Sequence, residues 1–307
     1  CQAALDAYLP ATVARGLLAR LQALRAVGAA PAVATPTPPA DRGPVLLHRE
    51  GALMVTESVR DGLTQRDLWF GQPPRFRQSS FCVERPLWLV TEYTRQLMAA
   101  LLLGDAPRRV LALGAGGAAV PRALKALFGD AVAVDLVDID LAVFRAAHRW
   151  FGLDELSQYR LFHHDARDFV QQATEHYDLI VLDVWDDQGV PDWLLDPALW
   201  RQLRRLGGDA GVLACNAPLG LADALCARAA EAYAGVRRLC RTNVTVLAGP
   251  EAAHRAAGLQ QRCARHAPAL AAMGVPLADY ARELASASVE TAAAAAPAPR
   301  AAQALAA

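Results

Sequence analysis

From Arg109 to Asp183 short apolar runs alternate with stretches of helical period, and this alternation limits what the chain can fold into more than any other feature. Arg109 to Leu113, Ala133 to Val137, Tyr159 to Phe162 and Leu179 to Asp183 read as strands; Val120 to Phe128, Leu141 to Phe151 and Ala166 to Ala173 lie between them and read as helices. Strands joined through helices run parallel, because a parallel pair needs a crossover and cannot close on a tight turn. The order continues with a helix near Pro197 to Leu206, a strand at Gly211 to Asn216, a helix at Leu221 to Tyr233, and Val236 to Cys240 with Asn243 to Ala248 as a closing strand pair. The expected fold is α/β: a doubly wound, mostly parallel, Rossmann-like sheet over residues 86–288.

The flanks differ in character. Leu5, Leu9, Val13, Leu17, Leu21 and Leu24 recur at steps of three and four, predicting an N-terminal helix over 1–29. Five prolines between Pro31 and Pro44 make 30–44 a semi-rigid linker. Over 45–85 apolar stretches at Val45 to His48, Leu53 to Glu57 and Asp67 to Phe70 are punctuated by Gly51, Gly62 and Gly71, predicting a small antiparallel β domain. A helix from about Leu87 to Leu103 follows, and 289–307, almost only Ala and Pro, reads as a disordered tail.

Charge argues against some partners. Lys and Arg together number 31, as do Asp and Glu, so no net field favours nucleic acid or an anionic membrane. No apolar run reaches the roughly 18 residues that a membrane span needs. Six cysteines lie scattered without C-x-x-C spacing, which predicts free thiols in a reducing cytoplasm and neither a zinc site nor a disulfide framework. Lys125 is the only lysine in an Ala- and Arg-rich chain, a bias expected of a bacterial GC-rich genome. The chain opens on Cys1 without Met; a trimmed terminus is expected over a lipidated cysteine.

The chemistry sits at strand ends. The first strand runs straight into Gly114-Ala115-Gly116-Gly117-Ala118-Ala119 and a helix, so a ligand can approach backbone N–H groups there; the spacing also admits a dinucleotide. Acids follow in step: Asp138, or else Asp140, ends the second strand, Asp165 follows the third, and Asp183 ends the fourth. One such acid is an ordinary helix cap, but three behind a glycine loop describe a nucleoside pocket of the S-adenosylmethionine kind.

Gly114 to Ala119, Val137-Asp138-Ile139-Asp140, His164-Asp165-Ala166 and Leu182-Asp183-Val184-Trp185-Asp186 resemble the four signatures of the spermidine synthase family, over roughly Val45 to Gly249. The resemblance implies that Asp138 holds the ribose, Asp165 reads the adenine amino group and Asp183 faces the amine. It also implies that Gln78, in Arg77-Gln78-Ser79, contacts the nucleoside with Gly114, Gly116 and Gly117. The activity implied is transfer of an aminopropyl group from decarboxylated S-adenosylmethionine, as co-substrate, to a small-molecule amine in polyamine biosynthesis, without metal. Asp183 would orient the amine and take its proton, Asp186 or Asp187 would neutralise a second ammonium, and Tyr93 would line the amine pocket. A homodimer is the assembly to consider.

The sequence departs from that family at three places. The loop acid that grips the donor's ammonium is replaced by Ala115, Gly117 or Ala118; Tyr93-Thr94-Arg95 stands for Tyr-x-Glu; and Arg241-Thr242-Asn243-Val244 lacks the usual loop. The alternatives are an AdoMet-dependent methyltransferase and a non-catalytic nucleoside-binding paralogue. His163 and His164 read as buried or rim histidines, Cys215 as a buried thiol beside Asn216, and Trp185, Trp193 and Trp200 as core or lid packing.

Overall fold

The computed structural model describes residues 40–71, 76–153, 159–186 and 189–289. The helix expected over 1–29, most of the 30–44 linker, Asp187 and nearly all of the 289–307 tail lie outside the described residues.

Four strands, β1 (Arg42–Glu50), β2 (Leu53–Arg60), β3 (Leu63–Phe70) and β4 (Phe76–Cys82), form an antiparallel meander in sequence order. Arg42 to Pro44, expected as the end of the linker, already belong to β1. β1 is an edge strand whose register slips between Arg42 and Val45, and Pro44, which lacks an N–H, is tolerated at such an irregular edge. In β4 Leu68 pairs with Ser79 and Trp69 with Arg77, so Gln78 is the extra residue of a β-bulge.

The helix expected over 87–103 is shorter and split. α1 (Glu92–Leu97) passes directly into a 3-10 segment at Met98–Leu102, and the residues before it form bends and a turn closed by Trp88 N–H on the Arg85 carbonyl. The Arg95 guanidinium holds the segment just before α1 by donating to the carbonyls of Leu89 (2.6 Å) and Val90 (3.0 Å).

The second sheet has seven strands in the order β10-β11-β9-β8-β5-β6-β7. β5 (Arg109–Leu113), β6 (Ala133–Asp138), β7 (Tyr159–His163), β8 (Leu179–Leu182) and β9 (Val212–Pro218) are mutually parallel, while β11 (Asn243–Gly249) runs antiparallel to β9 and to β10 (Gly235–Cys240). The chain winds outward from β5 on both sides, so the order reverses between β5 and β8, where open α/β sheets bind their ligands. β5 shows why both faces are covered: Val110 and Ala112 enter one core, Leu111 and Leu113 the other, all buried. α2 (Ala119–Phe128) and α3 (Leu141–Trp150) pack on the first face, and α4 (Ala166–Gln172), α5 (Pro197–Gly207) and α6 (Ala222–Ala232) on the second. Two further helices, α7 (Ala256–Ala271) and α8 (Leu277–Ser286), complete the first layer; the sequence pattern had not separated them. Among the described residues no helix is long and apolar enough to cross a membrane.

Candidate functional site

The glycine loop is shaped by its neighbours. Gly114, at φ +89°, lies so close to the end of β8 that a Cβ there would meet the Asp183 carbonyl oxygen at 2.1 Å. A Cβ on Gly116 would meet Ser79 Oγ at 2.8 Å, and one on Gly117 would meet Phe151 and the Ser79 side chain at 2.9 Å. Ala118 is held in the left-handed region at φ 52°, a cost of about 1 kcal/mol for a residue with a Cβ.

The loop amides are spent on protein. Gly114 N–H donates to the Val137 carbonyl (2.9 Å), Ala115 N–H to Asp138 Oδ2 (2.9 Å), Gly117 N–H to Ser79 Oγ (2.8 Å) and Ala118 N–H to the Ala115 carbonyl (2.8 Å). Gly116 N–H is directed to the Asp138 carboxylate as well. The amides from Gly114 to Ala118 are therefore not offered to a pyrophosphate, which the dinucleotide option left open by the glycine spacing would bring to this loop.

A cavity of about 450 Å³ opens over this loop. Gln78, Tyr93, Gly114, Gly116, Asp138, Asp165, Asp183 and Asp186, all expected at the site, line it together. Gly117 does not; it lies behind the wall, packed against Ser79 and Phe151. Asp138 is the acid that faces inward, since Asp140 caps α3 by accepting from Ala142 N–H (2.8 Å). Burial pushes the Asp138 carboxyl above its ordinary range, against the amides of Asp140, Ala115 and Gly116, which favour the anion. Asp165 caps α4 through the Arg167 N–H (2.7 Å), so the cap and the cavity wall are one residue. Burial raises its pKa, but the Arg167 guanidinium at 3.1 Å and that N–H outweigh burial and lower it. Arg167, which sequence reasoning passed over, also covers the face of Trp193 in the same wall.

A second cavity, of about 460 Å³, is lined by Arg77, Gln78, Glu92, Tyr93, Asp183 and Trp185 with Asn216, Thr242 and Asn243 of the strand ends. Gln78, Tyr93, Asp183 and Trp185 line both cavities, so Asp183 stands where they meet. Its Oδ1 accepts from Asn216 Nδ2 (2.7 Å), and Asn216 Oδ1 accepts in turn from Asn243 Nδ2 (3.0 Å), a relay that fixes the carboxylate. Burial pushes Asp183 up to about 6, while the bonds from Asn216 and Trp185 pull the other way. Asn216 lies within β9, the strand beside β8, and Asn243 opens β11 on the far side of β9, so only the strand order brings them to Asp183.

Other placements differ from expectation. Asp186, expected at the amine, lines only the first cavity: its N–H donates to the Gly189 carbonyl and its carboxylate accepts from Gly189 N–H, both at 2.9 Å, which turns the chain back toward that side. The Tyr93 hydroxyl is engaged with the Gln78 carbonyl (2.5 Å), leaving its ring as the surface offered to ligand. Arg95, expected in the amine pocket, lines neither cavity and is spent on backbone carbonyls. Trp200 is core, donating to the Leu194 carbonyl (2.7 Å), whereas Trp185 and Trp193 are cavity wall. Cys215 is fully buried, and burial together with the Asp183 charge pushes its thiol up, away from a nucleophile's range. Among the described residues no three His, Cys, Asp or Glu side chains gather as a metal site.

No family model matches the chain. Over 127 residues the sequence is 32% identical to the polyamine aminopropyltransferase of Vibrio vulnificus, an alignment covering 40% of this chain and 42% of that relative. The chain therefore matches less than half of that protein's length. The fold is similar to that of a probable spermidine synthase from Corynebacterium glutamicum, with a TM-score of 0.60 at 17% identity over 82% of this chain and 95% of that one. It is also similar to that of human methyltransferase-like protein 13 in complex with SAH, with a TM-score of 0.54 at 20% identity over 59% of this chain and 93% of that one. The doubly wound fold and the resemblance to the spermidine synthase-like family, read from the glycine loop and the acids after it, are borne out by these likenesses.

Proposed function

We propose that the chain is a cytoplasmic aminopropyltransferase of spermidine synthase type that moves an aminopropyl group from decarboxylated S-adenosylmethionine to a small-molecule amine in polyamine biosynthesis. The observation that carries this reading is the position of Asp183, an oriented carboxylate at the junction of two cavities, one suited to a nucleoside and one to an acceptor.

In this reading Asp138 accepts from the ribose hydroxyls with lone pairs that the loop amides leave over, Asp165 accepts from the adenine amino group, and Gln78 closes the cavity from the β4 bulge. The loop acid of the family has no counterpart, and Asp186 and Asp192 on the wall of the first cavity take over the donor's ammonium. Asp187 adjoins them in sequence. An alkyl ammonium titrates near 10 and has no lone pair until it loses a proton, so a fixed carboxylate must orient it and accept that proton. Asp183 is that carboxylate. The donor supplies a carbon next to a sulfonium: the amine lone pair forms the new C–N bond, and the C–S bond breaks with its electrons returning to sulfur as neutral methylthioadenosine.

Product analysis tests the reading. Methylthioadenosine released from decarboxylated S-adenosylmethionine in the presence of an amine, and lost in Asp183→Asn by about 10²- to 10⁴-fold, is the expected result. Release of S-adenosylhomocysteine from S-adenosylmethionine, with no methylthioadenosine, would install the methyltransferase reading instead. That second reading is favoured by one observation: Ser79 and Phe151 fill the space that a side chain at Gly117 would need, so the loop is built without an acidic grip.

A further inference from the structure

The second cavity carries a cation where a second ammonium would call for an acid. Arg77 and Gln78 are adjacent in β4, and neighbours in a regular strand face opposite ways, yet both line this cavity because the bulge at Gln78 breaks the alternation. The Arg77 guanidinium has weak claims on it from within the protein. Its acidic neighbour Asp67 is 3.9 Å away, and the Asp67 carboxylate is already occupied by Ser80 Oγ (2.5 Å) and Gln65 Nε2 (2.9 and 3.0 Å). The face of Trp69 lies 6.0 Å below the guanidinium. Glu92, the other acid of this cavity, is by contrast committed: it accepts from the Tyr280 hydroxyl (2.8 Å) and is paired with Arg95 at 3.6 Å. What the cavity offers is therefore an anion at its junction end, Asp183, and an available cation at Arg77.

We propose that the acceptor is an ω-amino carboxylate, its amine held at Asp183 and its carboxylate at Arg77. This rests on the aminopropyl-transfer reading for its chemistry and replaces its diamine acceptor, so that the product is an N-aminopropyl amino acid and not a polyamine. The amine nitrogen gives its proton to Asp183 and its lone pair to the aminopropyl carbon, the C–S bond breaks toward sulfur, and the carboxylate end is unchanged. Arg77 is then a specificity-determining residue, because a planar guanidinium binds a carboxylate through two parallel hydrogen bonds and repels a second ammonium.

The test compares 4-aminobutyrate with 1,4-diaminobutane, which differ only in the distal group, by calorimetry on the full chain saturated with methylthioadenosine. The expected result is tighter binding of 4-aminobutyrate, weakened about ten- to hundredfold by Arg77→Gln and less by Arg77→Lys, which keeps the charge but not the paired hydrogen bonds. Arg77→Glu should reverse the preference toward the diamine. Methylthioadenosine affinity shows whether each variant is folded, since Arg77 does not line the first cavity. Tighter binding of the diamine to the parent, binding of neither compound, or 4-aminobutyrate binding unchanged in a folded Arg77→Gln would overturn the proposal. A turnover assay separates the two readings: if the calorimetric pattern holds but no amine yields methylthioadenosine from decarboxylated S-adenosylmethionine, carboxylate recognition stands and the assigned reaction falls.

Discussion

The carbonyl oxygen of Asp183 occupies the place next to Gly114 where a side chain would begin, 2.1 Å from an ideal Cβ. The glycine loop after β5 and the end of β8 are thus in backbone contact across the point where the sheet order reverses. Gly114→Ala must push β5 and β8 apart and hold φ at +89°. A loss of at least about 2 kcal/mol in stability, read from thermal or denaturant unfolding, together with lost methylthioadenosine binding, is expected. A variant with parental unfolding would show that the two strand ends are not in fact in contact.

Asp138→Asn keeps the shape but gives up one charged acceptor among the amides of Ala115 and Asp140 and the ligand. Methylthioadenosine affinity should fall about ten- to hundredfold. Asp165→Asn can still cap α4, so it should weaken the nucleoside without loss of helix stability. Calorimetry alongside unfolding distinguishes these outcomes, and undiminished affinity in both variants would remove them from the nucleoside site.

The Asp183 carboxyl titrates at about 6 in the fold against 3.8 when unperturbed, and burial is the main cause. A group raised in the native state favours folding below its unfolded pKa and loses that contribution as pH rises through the native value. Asp183→Asn should therefore be the more stable protein above about pH 6, by up to about 2 kcal/mol because the carboxylate still meets cavity water, and the difference should vanish near pH 4. Unfolding of parent and variant at pH 4 and pH 8 checks the sign; an advantage confined to low pH would contradict it.

Asn216 donates to Asp183 and so favours its anion. In Asn216→Ala the acid limb of kcat/KM, expected near pH 6 in the parent, should move to higher pH, while methylthioadenosine affinity stays within about threefold. An unmoved limb with lowered activity would assign Asn216 to packing alone.

Restoring an acid to the glycine loop should fail. Gly117→Asp would drive a Cβ into Phe151 and Ser79, both at 2.9 Å, and should destabilise the protein rather than raise turnover. If Gly117→Asp folds at parental stability and accelerates methylthioadenosine release, the close packing of Ser79 on the loop is not as described.

The doubly wound sheet was legible because parallel strands buried on both faces read as continuous apolar runs, and the intervening helices carry their own period. Asp138 and Asp183 stand where an apolar run stops, and Asp165 follows the third strand after His163 and His164, so the places of all three on the cavity wall had a sequence signal. Where sequence reading failed, the deciding contacts carry no periodic signal, whether they close locally or join residues far apart in the chain. Arg95 looks available in Tyr93-Thr94-Arg95, but its guanidinium turns back to the carbonyls of Leu89 and Val90, which no period reveals. Asp186 follows Asp183 by three residues yet faces the first cavity only, because of a turn closed by Gly189. Ser79 gives no signal of its own, although its hydroxyl and Cβ decide what Gly116 and Gly117 can be.

The bulge at Gln78 carries a further implication for how the wall of the second cavity can change by descent. Arg77 and Gln78 share a cavity through one supernumerary residue in the ladder, not through their identities alone. Excising the Gln78 codon would leave Arg77 opposite Trp69 and Ser79 opposite Leu68 without the intervening residue, and would remove both the Gln78 side chain and the carbonyl to which Tyr93 donates. Substrate preference in chains built on this plan can then shift by insertion or deletion within a hairpin while every acid at the strand ends stays in place.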